Sequence, residues 1–299
     1  MTLELTTVKS LRETVAAWRA GGELVALVPT MGALHAGHLE LVKVAQMKAK
    51  RVIVSIFVNP TQFGPNEDFK SYPRTLERDL RLLCEAGVDA AWLPTLKEMY
   101  PQGFSTSVKA GSAGAGLDGD SRPGHFDGVA TVVTKLLVQA MPDVALFGQK
   151  DYQQLCVIRQ LVRDLNIPVF IVGVPTVREV DGLALSSRNQ YLTVAEREVA
   201  PKLYDILKTL ASKLVIPAQA GMTDEARVRD EGDSRLRGND GLLKKAVDEI
   251  LKAGFVKVDY LELRAEDTLA PLQSYVKPSR LLVAAWLGKT RLIDNITVE

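Results

Sequence analysis

Short apolar runs alternate with amphipathic segments along the first 175 residues of the chain. Two of these runs are predicted to be strands: Leu24–Val28 is short and apolar, and Arg51–Val58 is rich in β-branched residues, which is typical of a buried strand. The segment between them, Leu39–Lys50, is predicted to be helical. A strand, a helix and a second strand in this order predict a βαβ unit with parallel strands.

The same alternation continues to residue 175 and extends the sheet. Helices are predicted at Thr7–Ala20, Arg74–Ala86, Gly128–Ala140 and Tyr152–Leu165, and strands at Val88–Leu93, Phe104–Val108, Val144–Phe147 and Val169–Val174. We therefore predict an α/β fold in which residues 1–175 form a doubly wound, Rossmann-like parallel sheet with right-handed crossovers. The functional site of such a domain lies outside the carboxyl ends of its strands.

The pattern changes near Thr176, and a smaller α+β domain, able to act as a lid, is predicted over residues 176–299. Asp181–Gly182 is a hairpin turn signal between VREV and LALSS, and a capping box at Thr193–Glu196 opens a helix predicted to end near Ala211. Residues 215–240 carry three glycines and a dense mixture of charges, so we expect a flexible surface insertion there. Further strands are predicted at Val256–Leu263, Arg280–Trp286 and Thr290–Val298.

Composition narrows the class of protein. The 299 residues are 46% hydrophobic and 24% charged, which is ordinary for a globular protein, and a net charge of +1 gives no support to nucleic-acid binding. No run approaches 18 apolar residues and the first residues lack an apolar signal region, so membrane insertion and secretion are not expected. The two cysteines, Cys84 and Cys156, are expected to be buried thiols, which favours the reducing cytoplasm.

The stretch LVALVPTMGALHAGHL at residues 24–39 joins the first predicted strand to the first helix of the βαβ unit. The unpaired amides and the dipole of a helix start favour an anion, so this turn is a candidate phosphate site. His35 and His38 could both donate to one phosphate chain, and Gly37 would let a nucleotide approach the backbone. Zinc is the competing interpretation, but cysteine or further histidine ligands at the usual spacings are missing from the sequence.

Two other polar loops, carrying Gln62 and Lys150, also follow predicted strands, so all three loops should gather at one edge of the sheet. Two glycine motifs are set aside. Gly111–Gly116 has the spacing GxxGxG instead of GxGxxG, and Gly288-Lys289-Thr290 lacks the first glycine of a P-loop. Both are predicted to be plain turns.

Five spaced motifs, MGALHAGH, NPTQF, RPGHF, GQKDYQQL and LALSSRN, occur in this order along the chain. Together they resemble the pantothenate synthetase (pantoate–β-alanine ligase) family of the HxGH nucleotidyltransferase superfamily. The resemblance implies a cytoplasmic homodimeric ligase that uses ATP and Mg²⁺ to condense pantoate with β-alanine through a pantoyl adenylate. It implies no nucleic-acid or membrane partner.

The resemblance also assigns roles to residues. It implies catalytic roles for His35, His38, Lys150 and Arg188, with His38 as a proton donor. Pantoate would be held by Gln62 and Gln154, with Asn59 and His125 also at the substrates, and Asp79 would contact Mg²⁺. ATP would be bound by Met31, Gly32, Ala33, Leu34, His35, Ala36, Gly37, His38, Gly148, Gln149, Lys150, Asp151, Val177, Leu185, Ser186, Ser187 and Arg188.

Structural alternatives stay open for several of these residues. Asn59 could cap a strand end, Asp79 could be a solvated helix charge, and Lys150 and Asp151 could form an ordinary helix start. Gln149 stands where the family usually has glutamate, which removes one negative charge near the phosphates. The rival functions are an aminoacyl-tRNA synthetase, a simple nucleotidyltransferase and a nucleotide-binding regulatory module without turnover.

Overall fold

Residues 2–65, 67–219 and 239–299 are described by the computed structural model, and they fold as two units. The first unit contains the residues up to Val177 together with Leu185–Ser187, and the second contains Arg178–Ala184 and the described residues from Arg188 onward. The sequence predicts one boundary after residue 175, whereas the segment Leu185–Ser187 here packs with the first unit.

The strands of the first unit form one parallel sheet of six within the described residues, in the order β1-β4-β3-β2-β5-β6. Its central strand β2 pairs with β3 on one side and β5 on the other, and four of its residues are fully buried apolar side chains. The prediction of an α/β fold with a doubly wound parallel sheet is confirmed. The strands are β1 (Leu3–Leu5), β2 (Val25–Thr30), β3 (Arg51–Ile56), β4 (Ala90–Trp92), β5 (Val144–Gly148) and β6 (Phe170–Val174).

Helices connect these strands. The chain leaves β2 through α2 to reach β3, and it later returns to the opposite side of β2 to form β5. The order in which strands are added therefore reverses between β2 and β5. Open α/β sheets bind their ligands at such a switch point. The helices are α1 (Val8–Ala20), α2 (Ala36–Lys48), α3 (Leu76–Glu85), α4 (Leu96–Met99), α5 (Asp118–Ser121), α6 (His125–Ala140) and α7 (Tyr152–Asp164).

The second unit is a three-stranded antiparallel sheet packed against helices, within the described residues. The turn at Gly288–Lys289 joins its last two strands directly, because Leu287 pairs with Thr290, so the prediction of a plain turn there is confirmed. The α+β prediction is also confirmed. The elements are α8 (Val194–Val199), α9 (Lys202–Gln219), α10 (Asn239–Lys252), β7 (Lys257–Ala265), β8 (Ser279–Leu287) and β9 (Thr290–Val298).

Several predicted elements are wrong in detail. The short edge strand β1 was not predicted, and Phe104–Val108 is not a strand. The hairpin around Asp181 contains a single isolated bridge, and the helix expected at 193–211 is divided into α8 and α9 at Pro201, which has no amide proton to donate. Residues 220–238 of the expected insertion at 215–240 lie outside the described residues, and its described ends belong to α9 and α10.

The cysteine prediction is half correct. Cys156 in α7 is buried, but Cys84 in α3 is exposed. Among the helices of the described residues, none has the length and apolar character that a bilayer crossing requires.

A buried ion pair fixes the start of the second unit. Arg178 donates two hydrogen bonds to the carboxylate of Asp294 in β9, at 2.7 and 2.8 Å, and the carboxylate side chain is only 4% exposed. The guanidinium also lies 3.6 Å from the ring centroid of Tyr204 in α9. The segment Arg178–Ala184 is therefore tied to both layers of its unit by one side chain.

We predict that Asp294→Ala lowers the free energy of unfolding by about 3 kcal/mol, because it leaves the Arg178 charge without its buried partner. Urea denaturation followed by circular dichroism measures this change. The matched control is Glu13→Ala, which removes an exposed pair with Lys9 and should change stability by less than about 0.5 kcal/mol. Equal effects of the two substitutions would contradict the role of the buried pair.

Candidate active site

The loops that follow β2 and β5 form the centre of the candidate site. These strands are parallel neighbours in the sheet, so Met31–His38 and Gly148–Asp151 both begin at the carboxyl ends of the strands, where the strand order reverses. Lys150 and Asp151 are close enough to act electrostatically on both His35 and His38. The predicted convergence of these two loops is therefore found in the structure.

His35 and His38 form an unusual capping box at the start of α2. The amide of Gly37 donates to Nδ1 of His35 at 3.1 Å, and the amide of His35 donates to Nδ1 of His38 at 3.3 Å. A backbone amide can only donate, so both Nδ1 atoms are acceptors and each neutral ring carries its proton on Nε2. The ring centroids lie 4.1 Å apart and the ring planes are tilted by 42°, so the turn offers two neighbouring N–H donors at a helix start.

Both rings are neutral near pH 7. Loss of solvation, followed by the charge of Lys150, lowers the pKa of His35 to about 4. Loss of solvation, followed by the neighbouring His35, lowers the pKa of His38 to about 3. In these surroundings both side chains are hydrogen-bond donors and not imidazolium acids.

A buried carboxylate holds the histidine loop, Met31–His38, in place. Asp79 in α3 is 1% exposed, and its two oxygens accept hydrogen bonds from the amides of Ala33 and Leu34, both at 2.9 Å. The hydroxyl of Thr75 donates to the same carboxylate at 3.1 Å. Ala33 has a φ of 50° and Gly32 a φ of 83°, so this backbone is in the left-handed region where such support is needed.

This geometry does not fit Asp79 as the expected Mg²⁺ ligand. Its oxygens are aimed at backbone N–H groups, and no cluster of three metal-ligating side chains is found in the residues that the structure describes. The alternative of a solvated helix charge is also wrong, because Asp79 is buried. The residue is an anchor of the loop, and the sequence pattern of α3 gave no sign of this partner.

The segment at residues 185–187 lies beside the histidine loop. The hydroxyl of Ser187 donates to the carbonyl of Ala33 at 3.2 Å, and the amide of Leu185 donates to the carbonyl of Val177 at 3.0 Å. Leu185 also approaches Gly37, where an added Cβ would lie 3.8 Å from the Leu185 side chain. Two of the predicted ATP-binding residues, Leu185 and Ser187, are thus next to the loop, whereas Arg188 belongs to the other unit and its role stays a prediction.

The predicted substrate residues Asn59, Gln62 and His125 also lie together. Asn59 caps the 3₁₀ turn Pro60–Gln62 and donates to Gln62 Oε1 at 3.0 Å, and the Gln62 amide nitrogen lies 3.3 Å from the sulfur of Met31. Helix α6 packs tightly here, since an added Cβ at Gly128 would lie 2.3 Å from the carbonyl of Thr61. The contact between Gln62 and Met31 makes this cluster contiguous with the histidine loop.

His125 has the opposite tautomer to the other two histidines. Arg122 has no acceptor atom, so its contact of 2.9 Å to Nε2 of His125 makes that nitrogen an acceptor. Nδ1 then carries the proton and donates to the carbonyl of Gln62 at 2.8 Å. Burial, followed by the charge of Arg122, lowers the pKa of His125 to about 4, and Glu67 holds Arg122 through two hydrogen bonds of 2.6 Å.

The remaining glutamine behaves differently from its neighbour in sequence. Gln154 is half-buried in the first turn of α7, close to Lys150 along the chain. Gln153 is 3% exposed and its amide binds the backbone of Ala113, Ala115, Gly116 and Asp118. The structure thus assigns Gln153 to holding the glycine-rich loop, a role that the sequence did not reveal.

A doubly wound sheet with paired histidines at its switch point defines an α/β nucleotide-binding protein. The family model described as pantoate-beta-alanine ligase matches residues 4–297. The chain therefore belongs to the pantoate–β-alanine ligase family.

Individual relatives agree with this assignment. The pantothenate synthetase of Paramagnetospirillum magneticum is 54% identical over 98% of this chain and 96% of its own. A crystal structure of pantoate-beta-alanine ligase (pantothenate synthetase) from Thermus thermophilus is 46% identical with a TM-score of 0.85, covering 99% of each chain. The structure of the Francisella tularensis ligase complexed with beta-gamma ATP and β-alanine is 35% identical with a TM-score of 0.78, covering 99% of this chain and 98% of its own.

We predict that none of the three imidazole signals shifts between pH 8 and about 5.5, because every histidine pKa is lowered. Nitrogen-15 NMR of histidine-labelled protein measures this and also distinguishes the tautomers. His35 and His38 should show the Nε2–H form and His125 the Nδ1–H form. A ring that titrates near its ordinary value of 6.5 would contradict the assignment.

The same shifts predict how stability depends on pH. Between pH 6.5 and about 4 the unfolded chain binds protons on its histidines that the folded protein does not bind. The histidine contribution to stability is therefore fully present above pH 6.5, and it is lost as the pH falls through about 4 for His35 and His125 and about 3 for His38.

Proposed function

We propose that this protein condenses pantoate with β-alanine at the expense of ATP, giving pantothenate, AMP and diphosphate through a pantoyl adenylate. The observation that carries the proposal is the pair of neutral Nε2–H donors at the start of α2, beside Lys150. Family membership over residues 4–297 supplies the identity of the acid and the amine.

In the first step a carboxylate oxygen of pantoate attacks the α-phosphorus of ATP. The bond from the α-phosphorus to the bridging oxygen breaks and diphosphate leaves. Negative charge accumulates on the phosphoryl oxygens, and preorganised donors stabilise it more in the transition state than in the ground state. His35, His38 and the positive end of the α2 dipole act on this charge, and Lys150, whose side chain is 19% exposed, supplies a cation.

The neutral state of His38 suits a donor role. A neutral ring keeps its Nε2 proton and offers it as a hydrogen bond without the solvation cost of a buried cation. A nearby negative charge favours the protonated form of an imidazole, so His38 can act as a proton donor, and not only as a hydrogen-bond donor, when the triphosphate is bound. Proton donation by His38 is therefore tied to the occupied site.

In the second step the amine of β-alanine attacks the acyl carbon of the adenylate. The new carbon–nitrogen bond forms, the acyl–oxygen bond breaks, AMP leaves and the amine releases a proton to solvent. Gln62 and Gln154 hold pantoate, and Asn59 and His125 shape the surroundings of Gln62. Amides can recognise hydroxyl and carboxylate groups without adding charge near the reacting atoms.

Further parts of the proposal concern the nucleotide and the assembly. Mg²⁺ would be held by phosphate oxygens of ATP and by water, which it prefers as ligands, and would offset phosphate charge, because the Asp79 oxygens accept from backbone amides instead. The enzyme is a cytoplasmic homodimer without nucleic-acid or membrane partners. The ATP site includes Met31–His38, Gly148–Asp151, Val177, Leu185, Ser186, Ser187 and Arg188.

We predict that labelled diphosphate exchanges into ATP when pantoate is present without β-alanine, and that AMP accumulates with product only after β-alanine is added. His38→Ala should slow the exchange by about 100-fold, because it removes one preorganised donor to the transition state. His38→Gln is the matched control, since its amide retains a donor and should lose less activity. Exchange that depends on an amino acid instead of pantoate would overturn the proposed function.

A further inference from the structure

A line of hydrogen bonds runs from Tyr100 through Asn59 to Gln62. The hydroxyl of Tyr100, at the end of α4, donates to Asn59 Oδ1 at 2.8 Å, and Asn59 Nδ2 donates to Gln62 Oε1 at 3.0 Å. Asn59 is 1% exposed and Gln62 is 9% exposed, so water does not compete freely for these groups. The orientation of one buried amide therefore decides the orientation of the next.

The orientation of Asn59 is fixed by backbone groups that have only one polarity. The amide of Thr61 donates to Oδ1 at 3.3 Å, and the carbonyl of Gly128 accepts from Nδ2 at 3.2 Å. Rotation of the Asn59 amide by 180° would place two donors together at Thr61 and two acceptors together at Gly128. The hydroxyl of Thr61 adds a third donor to Oδ1, at 3.0 Å.

This constraint passes to Gln62. The atom of Gln62 that meets Asn59 Nδ2 must be an acceptor, so it is Oε1. The other end of the Gln62 amide is then Nε2, which lies 3.3 Å from Met31 Sδ at the start of the histidine loop. Sulfur is a weak acceptor, so a stronger acceptor on a ligand can replace it.

Contacts with two aromatic rings and a lysine hold the Tyr100 ring beside Asn59. Its ring lies 6.2 Å from Phe57 and 5.0 Å from Phe104 between centroids, and Lys135 Nζ lies 5.9 Å from its ring centroid. Burial raises the pKa of Tyr100, so its hydroxyl keeps the proton that it donates. The Asn59 Oδ1 atom thus faces a donor from Tyr100 near neutral pH.

We propose that Tyr100 and Asn59 are positioning residues that set the polarity of the Gln62 amide, so that Gln62 presents N–H donors to an oxygen acceptor of the substrate acid. The proposal rests on the proposed role of Gln62 in holding pantoate. It assigns to Tyr100, acting through Asn59, a share of the specificity for the acid and none for the nucleotide.

The test compares KM values in four variants, two of which change the positioning residues. Asn59→Asp replaces the Nδ2 donor by an acceptor, so Gln62 turns its amide and presents Oε1 to the acid. We expect the KM for pantoate to rise about 30-fold while the KM for ATP stays within about twofold, in the range expected when a buried hydrogen bond becomes a repulsive contact. Tyr100→Phe removes one hydroxyl and should raise only the pantoate KM, by about 5-fold.

Tyr275→Phe is the matched control, because it removes a tyrosine hydroxyl from the second unit and should leave both KM values unchanged. Melting temperatures of the variants separate positioning from loss of structure. Equal increases in both KM values, or an unchanged pantoate KM in Asn59→Asp, would overturn the proposal.

A Gln62→Ala variant distinguishes this failure from failure of the proposed function. An unchanged pantoate KM in Gln62→Ala would overturn the positioning role together with its premise. Pantoate-dependent exchange of diphosphate would still identify the reaction, whereas its absence from the unmodified protein would reject the function itself.

Discussion

The hydrogen bonds from Ala33 and Leu34 to the buried carboxylate of Asp79 hold the loop on which the site depends. A buried negative charge is costly unless donors surround it, and here two amides and the hydroxyl of Thr75 offset that cost. The loop reaches the start of α2 through backbone in the left-handed region at Gly32 and Ala33, a conformation that costs about 1 kcal/mol or more for a residue with a side chain. Asp79 stabilises this conformation from a separate helix, so the position of the histidines follows from tertiary packing.

The site combines neutral donors with few charges. His35 and His38 accept from backbone amides through Nδ1, and that arrangement leaves the proton of both neutral rings on Nε2. His125 uses the opposite tautomer because Arg122 occupies its Nε2, and its proton supports the carbonyl of Gln62. All three histidines have lowered pKa values, but they differ in tautomer because their hydrogen-bond partners differ: His35 and His38 carry the proton on Nε2, and His125 carries it on Nδ1.

The sequence predicted the elements that are marked by continuous runs of apolar residues or by the spacing of a motif. The strands β2, β3 and β5 are long buried runs, and the H-x-G-H turn between β2 and α2 was visible from its spacing. The three-residue strand β1 has too short a pattern to detect, and Phe104–Val108 has strand-like residues but no partner in the sheet. Asp79, Tyr100 and Gln153 act through contacts with distant parts of the chain, so their roles required the folded arrangement.

The most direct measurement is the rate of pantoate-dependent diphosphate exchange in Asp79→Asn, compared with Glu77→Gln on the exposed side of the same helix. An amide can offer an oxygen to only one of the two loop amides, and its NH₂ group opposes the other. If Asp79 sets the histidine geometry, Asp79→Asn should slow the exchange by about 100-fold while circular dichroism stays unchanged, because small displacements of catalytic groups cost that much. An exchange rate within about twofold of that of Glu77→Gln would contradict the role of this carboxylate.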